Sequence, residues 1–398
     1  MSDVPLLLTL NAGSSSLKFA LYDAPAAAAA TGRPRLSGQV ERIGGAAPRL
    51  LLHGPQGAEA PRDLAADRAA TPARALEAVL AVLDGAPSAV AHRVVHGGAD
   101  HAAPALLTPA LTEELDALSP LAPLHQPHNL AVIRAAQAAF PNARQVACFD
   151  TAFHRGRPFE AEAFALPRAL HARGVRRYGF HGLSYDHVAG VLATSAPDLH
   201  AGRVIVAHLG AGASMCALQG GRSADTTMGF SALDGLPMGT RCGQIDPGVL
   251  LWLMESEGLD APAIADLLYK RSGLLGLSGI SADMRDLEAS DAPEAAQALA
   301  HFAFRIRREI GGLAASLGGL DGIVFTAGIG ENSARLRAEV CAGLGWLGVA
   351  LDPAANASPT MRDGVADLTA PGARVRVLVI PTDEEAVLAR AAAAALVA

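Results

Sequence analysis

The sequence predicts an α/β protein of two domains whose halves repeat one structural phrase. Three observations carry this. At 398 residues the chain is too long for a single ordinary hydrophobic core. Residues 6–23, LLLTLNAGSSSLKFALYD, read as a strand, a small-residue turn and a second strand, and residues 203–218 repeat that order in pattern more than in identity. A third segment, residues 322–335, takes a buried strand through Gly328-Ile329-Gly330 into a helix beginning near Asn332 or Ser333, an arrangement that aims backbone donors and the positive end of a helix at an anion.

In order along the chain, the apolar run 6–10 is short enough for a buried strand, and Leu17, Phe19 and Leu21 alternate with Lys18 on the other face. The Gly/Ser turn between them crowds backbone N–H groups and hydroxyls in a way that suits phosphate oxygens. Lys18 is one of only two lysines among 32 basic residues. Residues 24–70 form an Ala/Gly/Pro-rich connection with short strands near 36–43 and 49–52. A helix covers 72–83 and ends at Gly85; a strand over 90–96 leads into Gly97-Gly98. A helix at 113–118 with Thr112 near its start precedes Pro-rich turns, a helix at 128–140, and a buried strand at 145–149 that delivers Asp150 at its end. The second half opens with strand 203–208, a Gly turn at 209–213 and strand 214–218, and the chain finishes with a helix over 385–396.

Composition narrows the function. A hydrophobic share of 51% and a charged share of 18% describe a folded globular chain. The net charge of -7 argues against nucleic acid as the main partner. No run of ~18 apolar residues suggests a membrane span, and the N-terminal apolar run lacks a basic leader and is too short for a secretory signal. Cys148, Cys216, Cys242 and Cys341 show no paired spacing for a metal or redox motif. We expect four reduced thiols in a cytoplasmic enzyme.

Seven blocks then give the chain a specific likeness: Asn11-Ala12-Gly13-Ser14-Ser15-Ser16-Leu17-Lys18, His92-Arg93-Val94-Val95-His96-Gly97-Gly98, Phe149-Asp150-Thr151-Ala152-Phe153-His154, Tyr178-Gly179-Phe180-His181-Gly182, Met238-Gly239-Thr240-Arg241, Gly328-Ile329-Gly330-Glu331-Asn332 and Pro381-Thr382-Asp383-Glu384-Glu385. In this order, over nearly the whole length, they resemble the acetate kinase family. The resemblance implies two duplicated ribonuclease H-like domains of the sugar-kinase and actin-like ATPase superfamily with an interdomain cleft. The expected boundaries are 1–150 joined by the C-terminal helix 382–398, and 151–381 for the nucleotide-binding and dimerisation domain, with crossings near 150 and 380 about which the cleft would close. It also implies a homodimer that moves the γ-phosphoryl group of ATP to a short carboxylate, giving acyl phosphate and ADP.

Phosphoryl transfer depends on charge neutralisation and in-line positioning more than on covalent help. A carboxylate acceptor is already ionised at neutral pH and needs no strong base. Cations should flank the reacting centre, and Arg93 and Arg241 match the family's pair; a planar guanidinium holds a carboxylate or phosphoryl group through two bonds. By resemblance, His181 donates a hydrogen bond to the transferring group. Asp150 could hold a metal through water, orient an arginine or act as a base. Asn11 and Glu384 match the metal positions for Mg²⁺ (or Mn²⁺), which requires the C-terminal helix to return to the first domain. ATP/ADP contacts are expected from Lys18, Ser14 and Ser16, from His208, Leu209, Gly210, Ala211 and Gly212, from Asp283, Met284 and Arg285, and from Gly328, Ile329, Gly330, Glu331 and Asn332. Val95, Leu124, Phe180 and Ala232 would form the acyl pocket beside Arg93. His125 and His154 also fall near the family's cleft but have no helical metal spacing, so zinc is not expected.

Several positions depart from the family's usual residues. Ala211 and Gln126 stand where Asn is usual, Gln244 where Asp is usual, Asp383 where Asn is usual and Ala232 where Pro is usual. The smaller Ala232 could leave room for one more methylene, worth about 1–3 kcal/mol when filled, so better use of propionate is expected than in a typical acetate kinase. The other readings are a propionate or butyrate kinase and, from a different class, a nucleotide-binding protein on this scaffold that has lost turnover.

Overall fold

The computed structural model describes residues 4–13, 15–24, 32–123 and 125–397; Ser14 and Leu124, both expected at the site, lie outside the described residues. The chain forms two compact units, one of residues 1–153 with 383–398 and one of residues 154–382.

In the first unit the strands are β1 (Leu6–Ala12), β2 (Ser16–Asp23), β3 (Leu36–Glu41), β4 (Arg49–Gly54), β5 (Gly57–Ala58), β6 (Arg62–Asp63), β7 (Ala89–Val94), β8 (Ala105–Leu106) and β9 (Arg144–Phe149). They make one sheet in the order β5-β4-β3-β2-β1-β7-β9-β8, with β6 on β4. β1 pairs antiparallel with β2 and parallel with β7, which is parallel to β9. The unbroken apolar run of β1 follows from cover on both faces. Leu8 and Leu10 join Leu17, Phe19, Val79 and Val132 in one core with helices Pro72–Leu80 and Gln126–Ala139. Asn11, of opposite parity, instead meets the start of helix Glu384–Val397, which packs on β1, β7 and β9.

The sequence reading placed some ends wrongly, for local reasons. Helix Pro72–Leu80 stops three residues before the expected 83. The expected helix 113–118 runs Pro109–Ala117, because Thr108, not Thr112, caps it by accepting from Leu111 N at 3.1 Å with Pro at the first position. β7 ends at Val94, two residues before the expected 96, because the amides beyond it are taken by side chains: Val95 N by Asn129 Oδ1 (3.1 Å), His96 N by Gln126 Oε1 (3.1 Å) and Gly97 N by Thr151 Oγ1 (3.1 Å).

The second unit holds β10 (Arg203–Leu209), β11 (Ala213–Gln219), β12 (Arg222–Thr226), β13 (Gly322–Thr326), β14 (Ala366–Asp367) and β15 (Arg376–Val379), in the order β12-β11-β10-β13-β15-β14. β10 is antiparallel to β11 and parallel to β13, and β13 is parallel to β15. The run β3-β2-β1-β7-β9 therefore has its counterpart in β12-β11-β10-β13-β15, with the same strand directions. This duplicated α/β topology puts each unit's turns after its first, fourth and fifth core strands at one end of its sheet.

One of the three expected turns is different. Gly328-Ile329-Gly330 is helical: Ala327–Asn332 forms a short helix directly after β13, with Ala327 turning the corner at φ 65°. A second helix, Ala334–Ala342, follows, with Ser333 as its cap. Among the described residues no helix is long and apolar enough to cross a membrane.

Candidate active site

In the first unit, four expected residues form one hydrogen-bonded chain where β1, β7 and β9 end and the last helix begins. Arg93 donates to Asp150 from Nε at 3.0 and 3.1 Å and from Nη2 at 2.6 Å, and from Nη1 to Asn11 Oδ1 at 3.1 Å. Asn11 Nδ2 donates to Glu384 Oε2 at 2.8 Å across 373 residues of sequence. Asp150 is 1% exposed, so its charge is matched by a fork rather than by water. Burial pulls the Arg93 pKa down, but the carboxylates of Asp150, Glu384 and Glu385 outweigh it and hold the guanidinium above its ordinary range. Burial, then the neighbouring Glu384 and Asp383 carboxylates, push Glu385 up against the pull of Lys18.

Lys18 lies opposite Asn11 in the β1–β2 register and is exposed. Ser16 opens β2, where its carbonyl accepts from Gly13 N at 2.8 Å. Val95 is buried, held by Asn129. The Asn11 amide oxygen and the Glu384 carboxylate are hard oxygen donors, a set that suits Mg²⁺ with several waters retained. Among the described residues no group of three or more His, Cys, Asp or Glu is arranged to hold a metal, so such an ion would draw its other ligands from water and phosphate.

In the second unit, His181 sits at φ 59° as the residue before helix Gly182–Ser195. Its Nδ1 lies 2.8 Å from Ser214 Oγ, which is also bonded to the Tyr185 hydroxyl. Its ring stacks on His208 with centroids 4.2 Å apart and planes at 17°. His208 Nδ1 is 2.8 Å from Ser184 Oγ, to which Thr382 Oγ1 is bonded at 2.8 Å. The other edge of His181 faces the turn after β10. A Cβ on Gly212 would come 3.3 Å from His181 Nε2 and 3.6 Å from Arg241 Nη2, so both donors approach the same bare turn. Arg241 is steadied by donating from Nη1 to the Ala232 carbonyl at 3.1 Å. Phe180 is buried.

A cavity of about 750 Å³ opens beside that turn, lined by Gly210 and Ala211, by Asp283, Met284 and Arg285, and by Gly328, Ile329 and Asn332. Asp283 caps helix Met284–Glu288 and accepts from Arg285 Nη2 at 2.6 Å. Leu209 is buried at the end of β10, Gly330 packs against the Ala207 carbonyl, and Glu331 Oε1 accepts from Thr382 N at 3.1 Å. Two further lining residues, Ala282 and Glu288, escaped the sequence reading, and a third, Ser333, was expected only as a helix start; Glu288 and Ser333 hydrogen-bond each other, a pairing across 45 residues that no local pattern announces.

The departures each have local work. Gln126 is fully buried and staples the 95–98 loop through His96 N, His96 O and Leu115 O. Asp383 caps the last helix by accepting from Ala386 N at 2.9 Å, which Asn or Asp does equally well. Gln244 accepts from Arg305 at 2.8 Å. The Ala211 carbonyl takes Gly239 N at 3.2 Å, tying the phosphate-type turn to the Arg241 loop. His125 precedes helix Gln126–Ala139, and His154 is buried between Ser223 and the Phe180 carbonyl.

The model of the Acetokinase family matches residues 6–390. The acetate kinase of Methylocella silvestris is 50% identical over 394 residues, covering 96% of each chain. Among solved structures, Porphyromonas gingivalis acetate kinase aligns with a TM-score of 0.84 at 36% identity, covering 98% of this chain and 100% of that one. A propionate kinase from Francisella tularensis aligns with a TM-score of 0.85 at 33% identity, covering 97% and 98%.

Proposed function

The chain belongs to the acetokinase family, and on that premise we propose that it transfers the γ-phosphoryl group of ATP to a short-chain carboxylate, with acetate as first substrate, giving acetyl phosphate and ADP reversibly. The observation that carries this reading is the approach of His181 Nε2 and Arg241 Nη2 to one bare turn at Gly212. Two donors that approach one turn suit charge that develops on phosphoryl oxygens.

In this reading a carboxylate oxygen attacks the γ-phosphorus in line as the bond to the β–γ bridging oxygen breaks and ADP departs. The carboxylate needs no base, so Asp150 serves to hold Arg93. The fork that Asp150 and Asn11 impose leaves Arg93 oriented to receive the acceptor beside Val95. Arg241 and His181 stabilise the transferring group, and losing one such contact from a dry site costs roughly 3 kcal/mol, about a hundredfold in rate. The nucleotide takes the cavity lined by Asp283, Met284, Arg285, Gly328 and Ile329, with its phosphates toward the 210–212 turn; Lys18 is the basic side chain that the first unit offers to phosphate. Mg²⁺, held by Asn11 and Glu384, would supply charge neutralisation at the phosphates when bound.

A homodimer fits the apolar helix Pro247–Glu255, where Leu251 is 58% and Trp252 53% exposed alongside Val249 and Met254. A cytoplasmic setting fits four cysteines that form no disulfide among the described residues. Incubating the protein with ATP, Mg²⁺ and acetate and trapping acyl phosphate as hydroxamate tests the assignment. Nucleotide binding without any hydroxamate would leave the turnover-deficient reading instead.

A further inference from the structure

We propose that Arg157 is a positioning residue that sets His181 through the backbone of residues 177–180; this rests on the acyl-kinase reading and deepens it. The mechanism leaves Arg157 unused, yet it is 6% exposed, and among the described residues no carboxylate lies within ion-pair distance of it. Burial accordingly pulls its pKa below the ordinary value. A buried guanidinium without a paired carboxylate is costly, and here backbone carbonyls hold it. Arg157 donates from Nε to His154 O at 3.0 Å, and from Nη2 to Arg177 O at 2.6 Å and Tyr178 O at 3.2 Å.

His154 completes the clamp. Burial, then the nearby Arg157 charge, push its pKa down to about 3, so the ring is neutral. Since a carbonyl only accepts, Nε2–H donates to Phe180 O at 2.9 Å and Nδ1 accepts from Ser223 Oγ at 2.8 Å. The carbonyls of 177, 178 and 180 are thus all fixed by two side chains. Between them Gly179, at φ 80°, packs so tightly on the His154 ring that a Cβ would lie 2.6 Å from its Cδ2. The residue after Phe180 is His181, a non-glycine residue held at φ 59°, a conformation that persists only where the surroundings over-determine it. A space-filling role would be met by an unbranched apolar side chain. A planar fork that bonds several carbonyls at once is what keeps a strained loop from relaxing.

The test is a double-mutant cycle on the full-length protein. Arg157→Met and Arg157→Lys are made in the wild-type and His181→Ala backgrounds, and kcat and KM are measured by hydroxamate trapping with melting temperatures alongside. Positioning predicts that Arg157→Met lowers kcat by about tenfold or more with KM for acetate and ATP within about twofold, because His181 acts on the transferring group. Arg157→Lys recovers part of the loss. In the His181→Ala background the same change alters kcat by less than about twofold. An equal loss in both backgrounds, an unchanged kcat, or a raised KM at unchanged kcat would overturn the proposal. If Arg157→Met does not fold, Arg157→Lys carries the cycle. Should the wild-type protein form no acyl phosphate, the acyl-kinase reading fails on its own. The ring ¹⁵N resonances of His181 then decide for Arg157: a displacement in the variant larger than that of His92 supports positioning, and unmoved resonances refute it.

Discussion

Replacing Asp150 with Asn separates holding an arginine from taking part in the chemistry. Asp150 receives three N–H contacts from Arg93, at 3.0, 3.1 and 2.6 Å, and is 1% exposed. Asn keeps the shape but turns one acceptor oxygen into an NH₂ group facing a guanidinium, and it removes the counter-charge. Breaking a buried ion pair costs about 3–5 kcal/mol. The Glu384 carboxylate, 3.9 Å from Arg93 Nη1, remains as partial compensation, so the lower end, about 3 kcal/mol, applies. For a unit of residues 1–153 with 383–398 this corresponds to a fall in Tm on the order of 6–12 °C. A misdirected Arg93 should also lower kcat/KM for acetate by about a hundredfold. Calorimetry and hydroxamate trapping on the same preparation read both quantities. Wild-type kcat/KM in Asp150→Asn would refute the role given to the pair. Lost activity at an unchanged Tm would mean that Asp150 acts on the reactants and not on Arg93.

Three further outcomes are expected. Arg241→Lys should lose about a hundredfold in kcat, because one ammonium cannot both reach the Ala232 carbonyl, now at 3.1 Å, and present a second donor at Gly212; a Lys variant within about tenfold of wild type would contradict this. In a series of acetate, propionate and butyrate, kcat/KM for propionate should lie within about a hundredfold of acetate, and Ala232→Pro should widen the gap; an acetate preference beyond about a hundredfold in the wild type ends the idea of a roomier pocket. Acid should destabilise the protein through two buried neutral histidines. Burial pushes His92 down to about 4, and burial with Arg157 pushes His154 down to about 3. Below pH ~6.5 the unfolded chain takes up protons that the native state refuses, so stability is full above that pH and falls as pH drops toward 4 for His92 and toward 3 for His154. The His92 part amounts to on the order of 3 kcal/mol, and a urea midpoint unchanged between pH 7 and pH 4 would exclude it.

Much of the fold was legible because the strands that make both sheets are short apolar runs with a turn signal at each end. β1 follows from a short apolar run buried on both faces, and β2 from Leu17, Phe19 and Leu21 alternating with an outward Lys18. Helix ends were less legible. Thr112 was expected near the start of its helix, but Thr108 caps it with Pro109 in the first position, and Leu111 and Leu115 reach the core. The Gly328-Ile329-Gly330 segment reads as a turn because glycine is a poor helix former, yet Ala327 takes the left-handed conformation at the corner, and the glycines wind into a helix.

By itself the sequence determined which side chains are available and in what order: an Asn before a small-residue turn, Arg93 and Asp150 at the ends of two strands, His181 among small residues, Glu384 ahead of the last helix. Their spacing along the chain carries that information because strand and turn periodicities are local. Tertiary structure alone decided who touches whom. It bonded Asn11 to Glu384 across 373 residues, stacked His181 on His208 and closed Glu288 on Ser333. It also sank Arg157 among the carbonyls that lead to His181. The physical reason is that hydrogen bonds and charges act over a few ångströms in space, and distance in space is fixed only when sheets and helices pack.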